Sequence, residues 1–347
     1  MKSKIMLFLI LSLTICAFSQ FQYEKVITLV TAQNQPYPIA VDSNGGLYFG
    51  TFMSPTSTNN GAFYIADPVN NPTNISTIAT YTDFPSGRGI QGIAVDSAKN
   101  VYVSGDTGTT NNSIVKKYGP PPTFTPNATF VPDVSGTRLL SCTLFNDSYI
   151  ATNSFTGVRV YSTSDGTMPG SIWIDNTTTY QRQIVINPLN NDMILTRNGN
   201  GAGGSVLIYS GGSAPGNLAG YTSLRTDFIT DIQTVSDYGN AAQGLYFYAL
   251  KNYLLVNIDT GAIDDAQGRL NIYEISGTGA GATATLKYQI DGTESGTQLS
   301  DQIDAVIYKS GNIERLYITD YANNRIVVYK WDSTPSAGVT QTWSIYE

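Results

Sequence analysis

The stretches PIAVDSNGGLYFGT (38–51) and GIAVDSAKNVYVSG (92–105) align without a gap, 54 residues apart. A unit of this size cannot bury its own apolar face, so neighbouring copies must complete one another, and the chain is restricted to an array or a closed ring. Each copy reads as a strand, a tight turn around Asp-Ser-x-x-Gly/Asn, and a second strand.

Weaker copies follow at LLSCTLFNDSYIATN (139–153), QIVINPLNNDMILTRN (183–198), IQTVSDYGNAAQGLYFYA (232–249) and AVIYKSGNIERLYITD (305–320), which makes six hairpins. A third strand comes after each: GAFYIAD, SIVKKYG, GVRVYST, SVLIYSG, LNIYEIS and RIVVYKW. Fourth apolar segments such as NISTIATYT, GSIWID and ATLKYQID lie before the next hairpin. Four antiparallel strands per unit, six times over, is the arithmetic of an all-β, six-bladed β-propeller. YLLVNIDTG (253–261) is an extra apolar run in the fifth unit, read here as an insertion; counted as a unit of its own it makes a seven-bladed ring. There is also one terminal strand too many. YEKVITLVT (23–31) and VTQTWSIYE (339–347) both fit the outermost place of the last blade. The N-terminal one is expected to close the ring, and the other then lies at an edge, free to join a second copy into a homo-oligomer.

Residues 1–20, MKSKIMLFLILSLTICAFSQ, have Lys2 and Lys4, an apolar run and then small residues. That is the pattern of a secretory signal peptide. The apolar run is too short for a transmembrane helix, and no later stretch is long enough. A single secreted domain, 21–347, is therefore expected, extracellular or periplasmic. Removing Lys2 and Lys4 leaves 17 basic against 26 acidic side chains. That balance opposes nucleic-acid binding, which relies on Lys and Arg at phosphates. Cys142 is then the one remaining cysteine, and in LLSCTLFN it reads as a small buried side chain.

In the sixth unit, Leu316-Tyr317-Ile318-Thr319-Asp320 is followed by Asn323-Asn324-Arg325-Ile326-Val327-Val328-Tyr329. This resembles an NHL repeat, in which a strand ends in Asp, an Asn precedes an Arg in the turn, and the next strand is β-branched. IAVD followed by LYFGT or VYVSG matches the front half of the same repeat, while units three to five keep the pattern more than the residues. The resemblance implies a six-bladed propeller and says little of function, since such rings serve as binding platforms, scaffolds and enzymes.

Histidine is absent. This removes Ser-His-Asp and Cys-His nucleophile systems, His-ligated zinc and imidazole bases. The enzymatic alternative resembles the calcium-dependent lactonase and gluconolactonase propellers, where Glu, Asn and Asp from several blades meet a cation on the axis. Oxygen ligands of that kind suit calcium. The early Glu-Gly-Pro of those enzymes has no counterpart here, and Glu274 and Glu314 sit in or beside strands. Asp259, Asp264 and Asp265 gather in one loop without the spacing of an EF-hand. No catalytic residue and no cofactor is assigned, with calcium the one candidate.

Propeller topology brings the segments leading into each first strand, and the loops between second and third strands, to one face around the axis. The leading segments hold Arg88, Gln91, Arg138, Arg182, Gln183, Asp231, Asp301 and Gln302, and the loops Asp106, Asn153, Arg197, Asn198 and Asp320 with Tyr321. Arginines from three consecutive blades suit a carboxylate or sulfate; alternatively they pair with the aspartates around the ring. Tyr37, Phe52, Tyr180 and Tyr321 are the aromatics of this face, placed to stack on sugars. The expected role is a non-enzymatic binding or surface-interaction module for a protein, carbohydrate or anionic ligand on the top of the axis. The alternatives are the calcium-dependent hydrolase and a structural subunit of an extracellular assembly that uses the surplus strand for β-augmentation.

Overall fold

A computed structural model describes residues 21–30, 33–52, 61–80, 82–84, 89–106, 113–130, 138–154, 157–169, 180–198, 205–211, 221, 224–229, 242–259, 268–300 and 303–332. Their strands form six antiparallel sheets, five built from consecutive stretches of chain and the sixth from β20–β22 with the N-terminal strand. Blade 1 holds β2 (Pro36–Val41), β3 (Leu47–Thr51), β4 (Ala62–Ile65) and β5 (Ile75–Ala79). Blade 2 holds β6 (Ile90–Val95), β7 (Val101–Asp106) and β8 (Ser113–Tyr118), and blade 3 holds β9 (Leu139–Phe145), β10 (Tyr149–Ser154) and β11 (Gly157–Ser162). Blade 4 holds β12 (Tyr180–Ile186), β13 (Met193–Asn198), β14 (Ser205–Tyr209) and β15 (Leu224–Ile229). Blade 5 holds β16 (Ala242–Tyr248), β17 (Tyr253–Asp259), β18 (Gly268–Ser276) and β19 (Thr283–Ile290). Blade 6 holds β20 (Ile303–Ser310), β21 (Ile313–Asp320) and β22 (Arg325–Asp332), with β1 (Gln22–Thr28) on its outer edge.

The first strands of the six blades touch in the order β2, β6, β9, β12, β16, β20 and back to β2, so the ring is closed. Strand pleating explains how such short strands hold together: successive side chains face opposite sides of a blade, and both sides are covered by neighbouring blades. In β3, Leu47 and Phe49 join a cluster shared with blade 6, while Tyr48 joins one shared with blade 2. Every junction between adjacent blades has one such cluster. The continuously apolar LYF and VYV of the repeats are thus strands buried on both sides. The Asp of each repeat turn serves its own hairpin. Asp42 accepts from the Asn44 and Gly46 N–H groups and from the Tyr48 hydroxyl at 3.0 Å, and Asp96 accepts from Asn100 and from the Tyr102 hydroxyl at 3.2 Å.

Three places in the structure qualify the sequence reading. YLLVNID is no insertion: it is β17, the second strand of blade 5, paired with β16 on one side and β18 on the other. A short 3₁₀ turn at Ala249–Lys251, closed by Asn252 in the left-handed conformation, separates it from β16, so the fifth hairpin spans 242–259 rather than 232–249. Blade 2 has three strands among the described residues. The stretch after β8, GPPPTFTP, runs along Tyr118 only through one bridge at Pro126, because prolines lack the N–H that a ladder requires. The closing strand of blade 6 is β1, paired with β22. Glu24, at a register irregularity in β1, reaches past β22 to clamp the Arg315 guanidinium on β21 at 2.8 and 3.2 Å. GSIWID (170–175) and 339–347 lie outside the described residues.

Candidate functional site

Each first strand is the inner edge of its sheet, and the six together wall an axial channel holding a cavity of about 260 Å³. Its lining is mainly aliphatic, including Ile39, Ile93, Ile184 and Leu245, with Gln183, Asp304, Thr143 and Tyr246 among the polar exceptions. In five blades the pairing of the first strand shifts register at its leading end: Pro36/Ile39, Ile90/Gly92, Leu139 opposite Ser154, Gln181/Ile184 and Ala242/Leu245. Such irregularities break the pleat and re-aim side chains. All five lie on one face of the ring, and toward that end, the mouth, the cavity reaches as far as Pro38, Gly92, Gln183 and Asp304.

Asp304 is 4% exposed at this mouth. Its Oδ2 accepts from the Ile39 N–H of blade 1 at 3.3 Å and from the Gln183 amide of blade 4 at 3.4 Å, and its Oδ1 accepts from the Ala305 N–H. Burial pushes the carboxyl up to about 8, against the lowering effect of these three donors. Desolvation therefore decides, and the group is mostly neutral at pH 7. Thr319 ties the arrangement to blade 1: its hydroxyl accepts from the Asp304 N–H and donates to the Tyr37 carbonyl at 2.7 Å.

Tyr37 is buried, and its hydroxyl is raised by burial and by Asp304 and lowered by the Arg182 guanidinium. Arg182 belongs to blade 4, opposite blade 1 in the ring, so its charge stands across the axis. Its Nε is buried and has no hydrogen-bond partner, and the Gln183 Oε1 is in the same condition. Tyr37 packs edge-on to Phe52 at 5.6 Å, and Phe52 packs edge-on to Tyr321 at 5.8 Å. This row of rings runs from the half-exposed Tyr321 inward to Tyr37.

Of the residues picked out in sequence, Arg182 and Gln183 meet at the mouth, and Tyr37, Phe52 and Tyr321 form the aromatic row. Gln91 is buried at the start of β6, and Arg138 is half-buried directly before β9. Asp320 is fully buried and engaged by Arg325, Asn323 and the Ser300 N–H. Asp106 ends β7 and Arg197 is the penultimate residue of β13, on the face of the mouth; their side chains, and Tyr180's, lie outside the described residues, as do Arg88, Asp231 and Asp301 altogether. Asp304 was not picked out. Its signal is positional: where blades 1 to 3 have Pro38, Gly92 and Cys142 ahead of the apolar run, blades 4 and 6 have Gln183 and Asp304.

The lactonase resemblance calls for a calcium cage on the axis. Calcium takes about six to eight oxygen ligands, several from carboxylates. Among the described residues the cavity offers one carboxyl, Asp304, held mostly neutral, and one side-chain amide, Gln183. No group of three His, Cys, Asp or Glu suited to a metal occurs among the described residues. This donor set does not fit calcium.

No family model matches the chain, and no curated protein does. A chain in the crystal structure of a nidogen/laminin complex matches with a TM-score of 0.50 and 14% identity, over 84% of this chain and 88% of its own. The chain is a six-bladed β-propeller. At that identity the likeness is one of fold. The extracellular domain of a hybrid two component system from B. thetaiotaomicron matches over 89% of this chain and 39% of its own, with a TM-score of 0.45 and 11% identity.

Proposed function

We propose that this propeller is a secreted, NHL-like binding module whose ligand face is the mouth of the axial channel. The observation that carries the reading is the convergence there of Tyr321, Phe52, Tyr37, Arg182 and Gln183, contributed by blades 1, 4 and 6. The half-exposed Tyr321 ring and the Arg182 guanidinium suit stacking and anion recognition. The propeller frame supports this use, since inter-blade clusters on every side hold the inner strands and hence the mouth. Secretion rests on the pattern of residues 1–20, and no described helix is long and apolar enough to cross a membrane.

The test is capture of glycans and extracellular proteins by the immobilised chain 21–347, repeated with Tyr321→Ala and Arg182→Ala. A ligand of this face loses tenfold or more in affinity with both variants. Ligands held equally by all three proteins would place recognition elsewhere.

A further inference from the structure

Arg182 and Gln183 are consecutive residues of β12, and regular pleating would send them to opposite sides of the blade. The register shift between Gln181 and Ile184 interrupts that alternation. Gln183 is 6% exposed, and its amide nitrogen is taken up by Asp304. Its Oε1 is consequently left on the cavity wall with no hydrogen-bond partner. Arg182 adds a buried Nε without a partner, and its charge is felt by Tyr37 across the ring.

A buried acceptor left unsatisfied costs about 1–3 kcal/mol, and a buried N–H without an acceptor, such as Arg182 Nε, costs a comparable amount. Water can serve Gln183 Oε1, whereas Arg182 has no carboxylate partner among the described residues. Asp304 does not neutralise it, being mostly uncharged at pH 7, and for the same reason does not repel an incoming anion. Two demands are therefore open at one mouth: an anion for Arg182 and a hydrogen-bond donor for Gln183. The space bounds the ligand. A cavity of about 150 Å³ admits a benzene-sized molecule; this one holds about 260 Å³ with an aliphatic wall for the C–H face of a ring, and Arg182 adjoins it through Gln183 without lining it.

We propose that the channel mouth binds a small hydroxylated monocarboxylate, of the size and chemistry of a sugar acid. Its carboxylate lies on the Arg182 guanidinium, and one of its hydroxyls donates to Gln183 Oε1. This deepens, and rests on, the reading of the mouth as the ligand face.

The experiment is calorimetric titration of the chain 21–347 with glucuronate, with glucose as the uncharged counterpart and propionate as the carboxylate without hydroxyls. Glucuronate binds at least tenfold tighter than either. Arg182→Gln reduces its affinity to that for glucose, and Gln183→Leu reduces it to that for propionate, each with the melting temperature of the parent within a few degrees. If Arg182→Gln does not fold, Arg182→Lys keeps the charge without the fork and gives an intermediate loss. Equal affinity for the three compounds, or glucuronate binding unaltered by Arg182→Gln and Arg182→Lys, overturns the proposal. If glucuronate does not bind while Tyr321→Ala still abolishes capture of a macromolecule, the sugar acid is wrong and the wider reading of the face stands.

Discussion

Arg325 Nε donates to Asp320 Oδ2 at 2.6 Å, and the two residues also face each other across the β21–β22 ladder. Asp320 further accepts from the Asn323 amide and the Ser300 N–H, while Arg325 donates to the Thr297 carbonyl at 2.7 Å. The Asp, Asn and Arg that carry the NHL resemblance thus fasten the β21–β22 turn to the segment preceding β20.

Asp320→Ala leaves Arg325 buried without its anion and strands the Ser300 N–H. Breaking one side of a buried pair costs about 3–5 kcal/mol. Urea unfolding should show a loss of that order, and Asp320→Ala combined with Arg325→Met should cost less than the two single losses added together.

Asp304 makes stability depend on pH. Its carboxyl stands near 3.8 when unfolded and is raised to about 8 by burial, so the folded chain holds the proton more tightly. The sign follows: this contribution to stability is fully present below about pH 4, declines as pH rises, and is gone above about pH 8. The groups facing it are Tyr37, Gln183 and the backbone N–H groups of Ile39 and Ala305, with Arg182 beyond Tyr37. Asp304→Asn, which cannot ionise, should gain on the parent in melting temperature from pH 5 to pH 8.5. A constant difference over that range would show that Asp304 does not titrate there.

β1 holds the outer place of blade 6, and Phe21, Ile27 and Leu29 of this segment are buried. Deleting residues 21–29 should abolish cooperative unfolding, whereas deleting 339–347 should leave the melting temperature of the monomer unchanged. Glu24→Gln weakens the two-pronged contact with Arg315, a partly exposed pair, and should cost about 1 kcal/mol or less.

Cys142 packs in the junction between blades 2 and 3, with its thiol toward the Tyr102 carbonyl. Burial raises the thiol to about 12, so the reactive thiolate is scarce at pH 8. An aromatic disulfide reagent should leave it unmodified in the native protein and react at once in urea. Rapid native labelling would mean that this junction opens.

The repeats alone were enough to place the hairpins of five blades. Alternation written into short apolar runs, and Asp-led turns that satisfy their own hairpins, are local properties, and they placed the hairpins of blades 1 to 4 and 6. In blade 5 the same local logic misassigned YLLVNID, because only its pairing with both β16 and β18 distinguishes a blade strand from an inserted one. The choice between two terminal strands of equal pattern was likewise tertiary, made by the β1–β22 ladder and the reach of Glu24 to Arg315. The mouth of the channel depended on the fold most of all. Gln183 and Asp304 are 121 residues apart, and nothing local to either indicates the other. Ring closure brings their strands to one axis, the β12 bulge re-aims Gln183, and exclusion of water keeps Asp304 protonated, three effects that only the folded ring supplies.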